Sequence, residues 1–441
     1  MSRSLATMIA ASLALAAGGA APVFSQLYRM VSVRGSFVGD ADLRVWEVTA
    51  DGVMTQIQQI DFVGSGELFQ VDPLGRFLVY PRAGESEPIV EVYSIDSQGL
   101  LTLASTTSRE GWSFSGRVHT ITPDGIFYIT QSVNHIENPD GGYLEVMRIK
   151  SDMTLEELPG RLKFTPTGLP EIDGPLGRLG ALTVDDGYLL LVNDHSDASV
   201  VLPMSLTGEL SSPTQVFDYG SVQPITGGWA IRPDQKIAVT GPMGEDRLTS
   251  YAVSPDGFLT PIDTYDFNEL GPLSVVGLSY HPGGDSLVTG GRIARAQITP
   301  EGWMDESAQV GPLGSIITAP PAVSPDGKIA VATWENDSEG IHWGVYSLDP
   351  AGGITLIRDH PLPIGYRDLK FIPPRTEDML GDANGDGRRD IRDVVKLVNH
   401  LNGSQAITGP VPLARTDATQ DGTIDEDDLV WIVDFLLGLN P

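Results

Sequence analysis

The sequence predicts a mainly β chain, a seven-bladed β-propeller, with a small all-α domain at its C-terminus. Two observations carry the first part and one the second. A strand–turn–strand phrase built on Pro-Asp-Gly returns six times between about Leu27 and Pro374. The chain also opens with strands that supply what its last repeat lacks. Beyond Pro374 this pattern gives way to two acidic loops, each running into a segment of helical period.

At 441 residues, one large domain plus a small one is the natural division. Met1–Ala21 has an early positive charge, Arg3, then an Ala/Leu-rich run from Leu5 to about Ala17, then small residues. It is too short and too weakly apolar for a spanning helix and reads as a secretory signal peptide, residues 1–25, cut before Gln26 after Val23 and Ser25. No later stretch has the length to span a bilayer, so the expectation is a secreted protein, held at a cell surface only through a partner. There are no cysteines, which excludes disulfides and Cys-zinc sites. The formal net charge of −30 repels phosphate backbones, so nucleic acid is not an expected partner.

The repeat occupies 27–374. Its turns are Asp72-Pro-Leu-Gly75, Thr122-Pro-Asp-Gly125, Val184-Asp-Asp-Gly187, Arg232-Pro-Asp-Gln235, His281-Pro-Gly-Gly284 and Ser324-Pro-Asp-Gly327. Each follows a short apolar strand and is followed by a second strand. Third strands include Val90–Asp96, Leu248–Ser254 and Trp343–Asp349, and fourth strands Leu100–Leu103 and Ile354–Ile357. Intervals of roughly 45–60 residues are the length of a four-stranded blade. The six turns mark six inner strands, and Leu369–Pro373 reads as a seventh with nothing after it. Leu43–Val48, the Asp51-Gly52 turn and Met54–Ile57 supply its remainder, so one blade is joined from both ends of the repeat and no sheet edge stays open.

The two loops run Asp382–Asp393 and Asp417–Asp428. Each places oxygen-bearing side chains at positions 1, 3, 5, 9 and 12 and Gly at position 6, the spacing a hard cation needs. Val394, Leu397, Val398 and Leu401 then mark one helical face, and Leu429, Ile432, Val433 and Leu436 another. The offset from Asp382 to Asp417 equals that from Val394 to Leu429, so one loop–helix unit is used twice. Gly403 and Gly438 stand where a left-handed helix end belongs.

A duplicated calcium loop with only its exiting helix resembles a type I dockerin, over about 380–441. That resemblance implies two Ca2+ ions. The first would be held by Asp382, Asn384, Asp386, Asp390 and Asp393 with the carbonyl of Arg388, the second by Asp417, Thr419, Asp421, Asp425 and Asp428 with the carbonyl of Thr423. Thr419 stands where that family has Asn or Asp, a poorer ligand, and Arg389 replaces the usual aliphatic that Ile424 keeps. The resemblance also implies a cohesin-like partner, chosen through positions 10 and 11, here Ile391-Arg392 and Glu426-Asp427. Trp431 and Phe435 either form an aromatic anchor for docking or pack against the intervening segment or the larger domain. Lys396 and His400 hold the same places on the other helix, so the two faces are not interchangeable.

The repeated phrase is similar to the lactonase-type propellers, the 6-phosphogluconolactonase and YVTN-repeat group. Those often carry an Arg-His pair on an inner strand. Here Val118 separates Arg117 from His119, and Arg367 is followed by Asp368. No His-Glu-x-x-His, nucleophile elbow or phosphate loop is present, and the catalytic residues are unknown. Among seven histidines, His119 is placed to face the central channel, and His195 lies on a loop that would line its mouth. Trp112, Trp229, Trp303, Trp334 and Trp343 recur across blades, where they either pack or stack on sugar rings. The expectation is therefore a calcium-dependent tether carrying a binding or scaffolding propeller, with a carbohydrate or small-molecule ligand at the channel. The alternative is a tethered extracellular hydrolase, lactonase-like or acting in polysaccharide catabolism.

Overall fold

The computed structural model describes residues 27–34, 40–63, 69–83, 88–108, 116–121, 126–131, 143–158, 162–163, 180–184, 187–193, 198–205, 209, 211, 214–218, 225–243, 247–254, 257–266, 277–290, 293–309, 321–336, 340–350, 352–361, 366–374, 380–383, 389, 391–407, 413, 415–437 and 439. The leader assigned to 1–25 lies outside them. The chain divides into two compact units, Tyr28–Arg375 and a smaller one that contains Thr376–Pro441.

Among the described residues, seven antiparallel sheets make up the larger unit. Their inner strands are Gln70–Val71, Gly116–Ile121, Gly180–Val184, Ile225–Ile231, Leu278–Tyr280, Ala322–Val323 and Tyr366–Phe371, which open blades 1 to 7. Each inner strand lies against the next in chain order, and that of blade 7 against that of blade 1, so the sheets close a ring. In blades 1, 4, 5 and 6 a Pro- or Gly-bearing turn follows the inner strand, as the sequence predicts, while those expected at 122–125 and 184–187 are not fully within the described residues. Gly75, Gln235, Gly284 and Gly327 take φ of 69°, 59°, 73° and 71° at the same turn position, which is why glycine recurs there.

Blade 7 pairs the inner strand Tyr366–Phe371 with Leu27–Arg34, then Asp40–Thr49 and Met54–Val63. Joining the ring from both ends is as expected. Leu27–Arg34 is a third N-terminal strand in that blade beyond the two the sequence marked. Blade 2 departs in another way: its third strand Tyr143–Ile149 pairs with two short pieces, Leu155–Glu157 and Leu162–Lys163, in place of one outer strand.

Successive residues face opposite neighbours, so the core lies between blades. Met30 packs with Val331 and Trp343 of blade 6, whereas Val31 and Val33 pack with Leu78 and Tyr80 of blade 1. A sheet covered on both faces needs nearly continuous apolar strands, and this explains runs such as Ile329-Ala-Val-Ala332. A register shift between third and outer strands recurs at Val45/Trp46, Val92/Tyr93, Ser250/Tyr251, Ala296/Ile298 and Val345/Tyr346. An inserted residue there raises local twist and splays the outer strand from the axis.

Outer-strand side chains then fasten blade to blade. Gln58 donates to the Leu101 carbonyl at 2.7 Å and accepts its N–H at 2.8 Å. Gln215 does the same to Leu259 at 3.0 and 2.7 Å. Asp263 accepts from the Met304 N–H at 3.0 Å, and His360 Nε2 lies 2.8 Å from the Gly52 carbonyl across the ring closure.

In the smaller unit, helices α1 (Ile391–Leu401) and α2 (Glu426–Leu436) follow the two loops. Val394, Leu397, Leu429 and Ile432 are buried together with Ala383, Ile407 and Ala418. The four helix residues belong to the helical period read in the sequence, whereas Ala383, Ile407 and Ala418 come from outside the helices.

Candidate calcium loops and docking helices

The second loop is described throughout. Asp417 Oδ1 and Oδ2 accept from the N–H groups of Asp421 and Gly422 at 3.1 and 3.0 Å. Asp421 Oδ1 accepts from the Thr423 N–H at 2.8 Å and from its hydroxyl, contacts that hold this exposed carboxyl below the usual carboxylate range. Asp428 closes the loop: Oδ1 accepts from the Thr419 N–H and hydroxyl at 3.0 and 3.1 Å, and Oδ2 from the Asp425 N–H at 2.9 Å. Asp425 in turn accepts from the Asp427 N–H at 2.8 Å, so Asp425 and Asp428 form a capping box on α2. Gly422 at position 6 has φ of 86°, and Gln420 has 60°, the backbone bend a wrapped loop requires.

These carboxylates are thus oriented by the loop's own donors. Among the described residues, no group of three acidic or histidine side chains stands close enough to hold a metal as placed. The donor set nevertheless fits calcium, being all oxygen, and each carboxylate oxygen that accepts one N–H keeps a second lone pair.

In the first loop, Asp382 and Asp393 are described and buried, while Asn384, Asp386, Arg388 and Asp390 lie outside the described residues. Asp393 opens α1 as Asp428 does α2. Asp382 makes a contact the sequence did not suggest. Its Oδ2 lies 3.0 Å from Arg415 Nη1, both side chains being buried, and the Gly381 N–H donates to the Arg415 carbonyl at 2.7 Å. Burial lowers the affinity of the Arg415 guanidinium for its proton, and Asp382 opposes that shift. The available signal was a lone Arg two residues before a calcium loop, where the first repeat has Leu380.

Trp431 and Phe435 are half-buried and stack with ring planes 4° apart and centroids at 5.6 Å. Trp431 packs onto the helix core, so packing within the unit accounts for most of this pair. Arg389, which breaks the aliphatic pattern at position 8, sets its guanidinium 3.8 Å from the Phe435 centroid. Ile391, Val395 and Val430 are the exposed apolar residues near positions 10 and 11. On α1, burial lowers the Lys396 pKa, and His400 Nδ1 accepts from the Ile407 N–H at 3.1 Å.

In the propeller, the inner strand of blade 2 carries Arg117 and His119, as expected, but their side chains lie outside the described residues, as do His135 and His195. The described propeller histidines make contacts within and between blades. His342 stacks on Trp334 at 4.3 Å and sets Nδ1 2.9 Å from Asp359. His281 Nδ1 lies 3.0 Å from Asp285, holding that carboxyl down to about 2, and Nε2 is 3.0 Å from the Gly327 carbonyl of blade 6. Ser286 donates to Asp285 at 3.0 Å and accepts from Arg295 at 2.8 Å. Without a serine–histidine bond, this Ser/His/Asp group is an inter-blade latch and lacks the arrangement of a nucleophile with its base. Of the two readings for the recurring tryptophans, packing holds for three: Trp229, Trp334 and Trp343 are buried within the blades, because strand side chains here face a neighbouring sheet. Trp303 is exposed and Trp112 lies outside the described residues. No helix among the described residues is long and apolar enough to cross a membrane.

This pairing of acidic loop and exiting helix has a counterpart among known families: residues 380–437 match the dockerin type I domain. The C-terminal unit therefore carries a dockerin type I domain. The larger unit is similar to solved lactonase-like propellers. One is the periplasmic gluconolactonase of Pseudomonas aeruginosa, 15% identical with a TM-score of 0.63, over 79% of this chain and 100% of that one. Another, from Bacteroides fragilis and provisionally assigned as a 6-phosphogluconolactonase, is 16% identical with a TM-score of 0.61, over 80% and 100%. A Bacteroides uniformis protein of the same provisional assignment is 16% identical with a TM-score of 0.60, over 78% and 99%. At such identities the likeness establishes the fold. No curated protein matches the chain.

Proposed function

We propose that this is a secreted protein whose C-terminal unit, on binding two calcium ions, attaches a propeller platform to a cohesin-like partner. The observation that carries the reading is the duplicated loop–helix unit that matches the dockerin type I domain. The first ion falls to Asp382, Asn384, Asp386, Asp390, Asp393 and the Arg388 carbonyl. The second falls to Asp417, Thr419, Asp421, Asp425, Asp428 and the Thr423 carbonyl. Bound calcium supplies a divalent counter-charge, and the protein's part is to hold carboxylates on rigid helix starts, as the Asp425–Asp428 capping box does.

Docking then uses the exposed helix starts. Ile391, Arg392 and Val395 make one repeat apolar and basic, whereas Glu426 and Asp427 make the other acidic. The test is capture of the full chain by a panel of immobilised cohesin modules, with calcium and with chelator. Capture by at least one module in calcium, lost on chelation and weakened by Arg392→Glu, supports the reading. Absence of calcium-dependent capture contradicts it.

The fold's likeness to a gluconolactonase favours a second reading, a tethered lactonase-like hydrolase. Arg117 and His119 on the inner strand of blade 2 are its candidate residues. Lactone turnover by the full chain that is lost in His119→Ala supports it, and turnover absent from the wild type removes it.

A further inference from the structure

We propose that Arg415 is a built-in counter-cation for the first calcium loop, balancing Asp382 when metal is absent and weakening the ion's hold when it arrives. This rests on the calcium reading of Asp382–Asp393.

A buried carboxylate requires a cation or several donors close by. Asp382 has no exposed surface, and Arg415, itself only 4% exposed, lies against it at 3.0 Å. The backbone bond from Gly381 N–H to the Arg415 carbonyl fixes the Arg415 main chain beside the loop, and burial of the side chain against Asp382 keeps the guanidinium there. An ion on Asp382 would then face a fixed positive charge through a poorly screening interior.

The second loop differs in the residue set beside its first ligand. Its first ligand, Asp417, is oriented by the N–H groups of Asp421 and Gly422, and the residue matching Arg415 in the other repeat is Leu380. Both loops carry four aspartates among their ligands. Affinity follows ligand charge, so the guanidinium on Asp382 makes the first loop the weaker. This reverses the order that Thr419 alone suggests.

The experiment is calcium titration of the full chain by calorimetry, with hydrogen exchange of the metal-free form. A site-specific signal comes from terbium luminescence sensitised by Trp431, whose Cζ3 stands 3.2 Å from where a Cβ on Gly381 would be. Trp431→Phe supplies the background. Arg415→Met is expected to tighten the first loop by about tenfold, a 1.4 kcal/mol change, to leave the second loop unchanged, and to lower metal-free protection of 380–383 and 391–401. Should that variant not fold without metal, Arg415→Met/Asp382→Asn removes both charges: metal-free protection returns while first-loop binding is lost. Arg415→Lys, keeping the charge, stays near wild type.

Unchanged first-loop affinity together with unchanged metal-free protection in Arg415→Met overturns the proposal, as does weaker binding. Wild-type protein that takes up no ion at either loop overturns the calcium reading itself, which the variants cannot mimic.

Discussion

Both units are punctuated by Asp-Gly turns, yet they spend the aspartates differently. In the propeller the turn carboxylates are consumed by protein donors. Asp72 takes the Arg76 guanidinium at 2.7 Å and its N–H at 3.0 Å, and Asp326 takes Lys328 and the hydroxyls of Ser324 and, from blade 7, Tyr28. Their role ends at joining strands and blades. In the second C-terminal loop the carboxylates are aligned by donors of the loop itself: Asp417 takes the N–H groups of Asp421 and Gly422, one on each oxygen, and Asp421 takes the N–H and hydroxyl of Thr423. Asp-Gly thus marks a turn at Asp326-Gly327 in one unit and, in the proposed calcium reading, part of a ligand frame at Asp421-Gly422 in the other.

The stability of the two units should follow the same division. The propeller buries strands on both faces, whereas the C-terminal unit sets one small core behind two acidic loops. Trp343→Ala, at a fully buried ring between blades 6 and 7 whose Nε1 donates to Thr333, should cost about 3–5 kcal/mol. Thermal unfolding should show the propeller transition lowered and calcium uptake unchanged. Loss of calcium binding with it would mean that the units are not independent.

Gly327→Ala sharpens the comparison at a turn. Its φ is 71° and a Cβ would meet His281 Nε2 at 2.1 Å, so the latch between blades 5 and 6 must open. A loss of about 1–3 kcal/mol in denaturant unfolding is expected, against near-neutrality if turn aspartates alone held that junction. Gln58→Ala removes a two-bond clamp to Leu101 and should cost about 1–2 kcal/mol. Arg389→Ala should cost the C-terminal unit only about 0.5–1 kcal/mol, with Trp431 fluorescence reporting the loosened stack.

Much of the architecture was legible because turns and apolar periods are local. Pro-Asp-Gly at Ser324–Gly327 specifies its bend within four residues, and Leu369 revealed an inner strand by lacking a successor. Leu27–Arg34 was harder to see, since no turn residue pairs it with its partner near the other end of the propeller. The clamps of Gln58 and Gln215 join residues on successive blades, and a glutamine on a polar outer strand gives no sign of its acceptor. Tryptophan left two readings open, packing or sugar stacking, because its ring suits either, and Trp343 lies packed between sheets. The proposed calcium ligands come from their spacing, but Arg415 could not, because its meaning comes only from lying beside Asp382.

The account turns on whether an ion, more than the apolar core, organises the tail. Amide hydrogen exchange on the full chain, with calcium and then with excess chelator, tests this directly. The expected result is that protection across α1 and α2 collapses on chelation while the inner strands and Ile329–Asn336 keep theirs. Equal protection of both helices with and without calcium would contradict it.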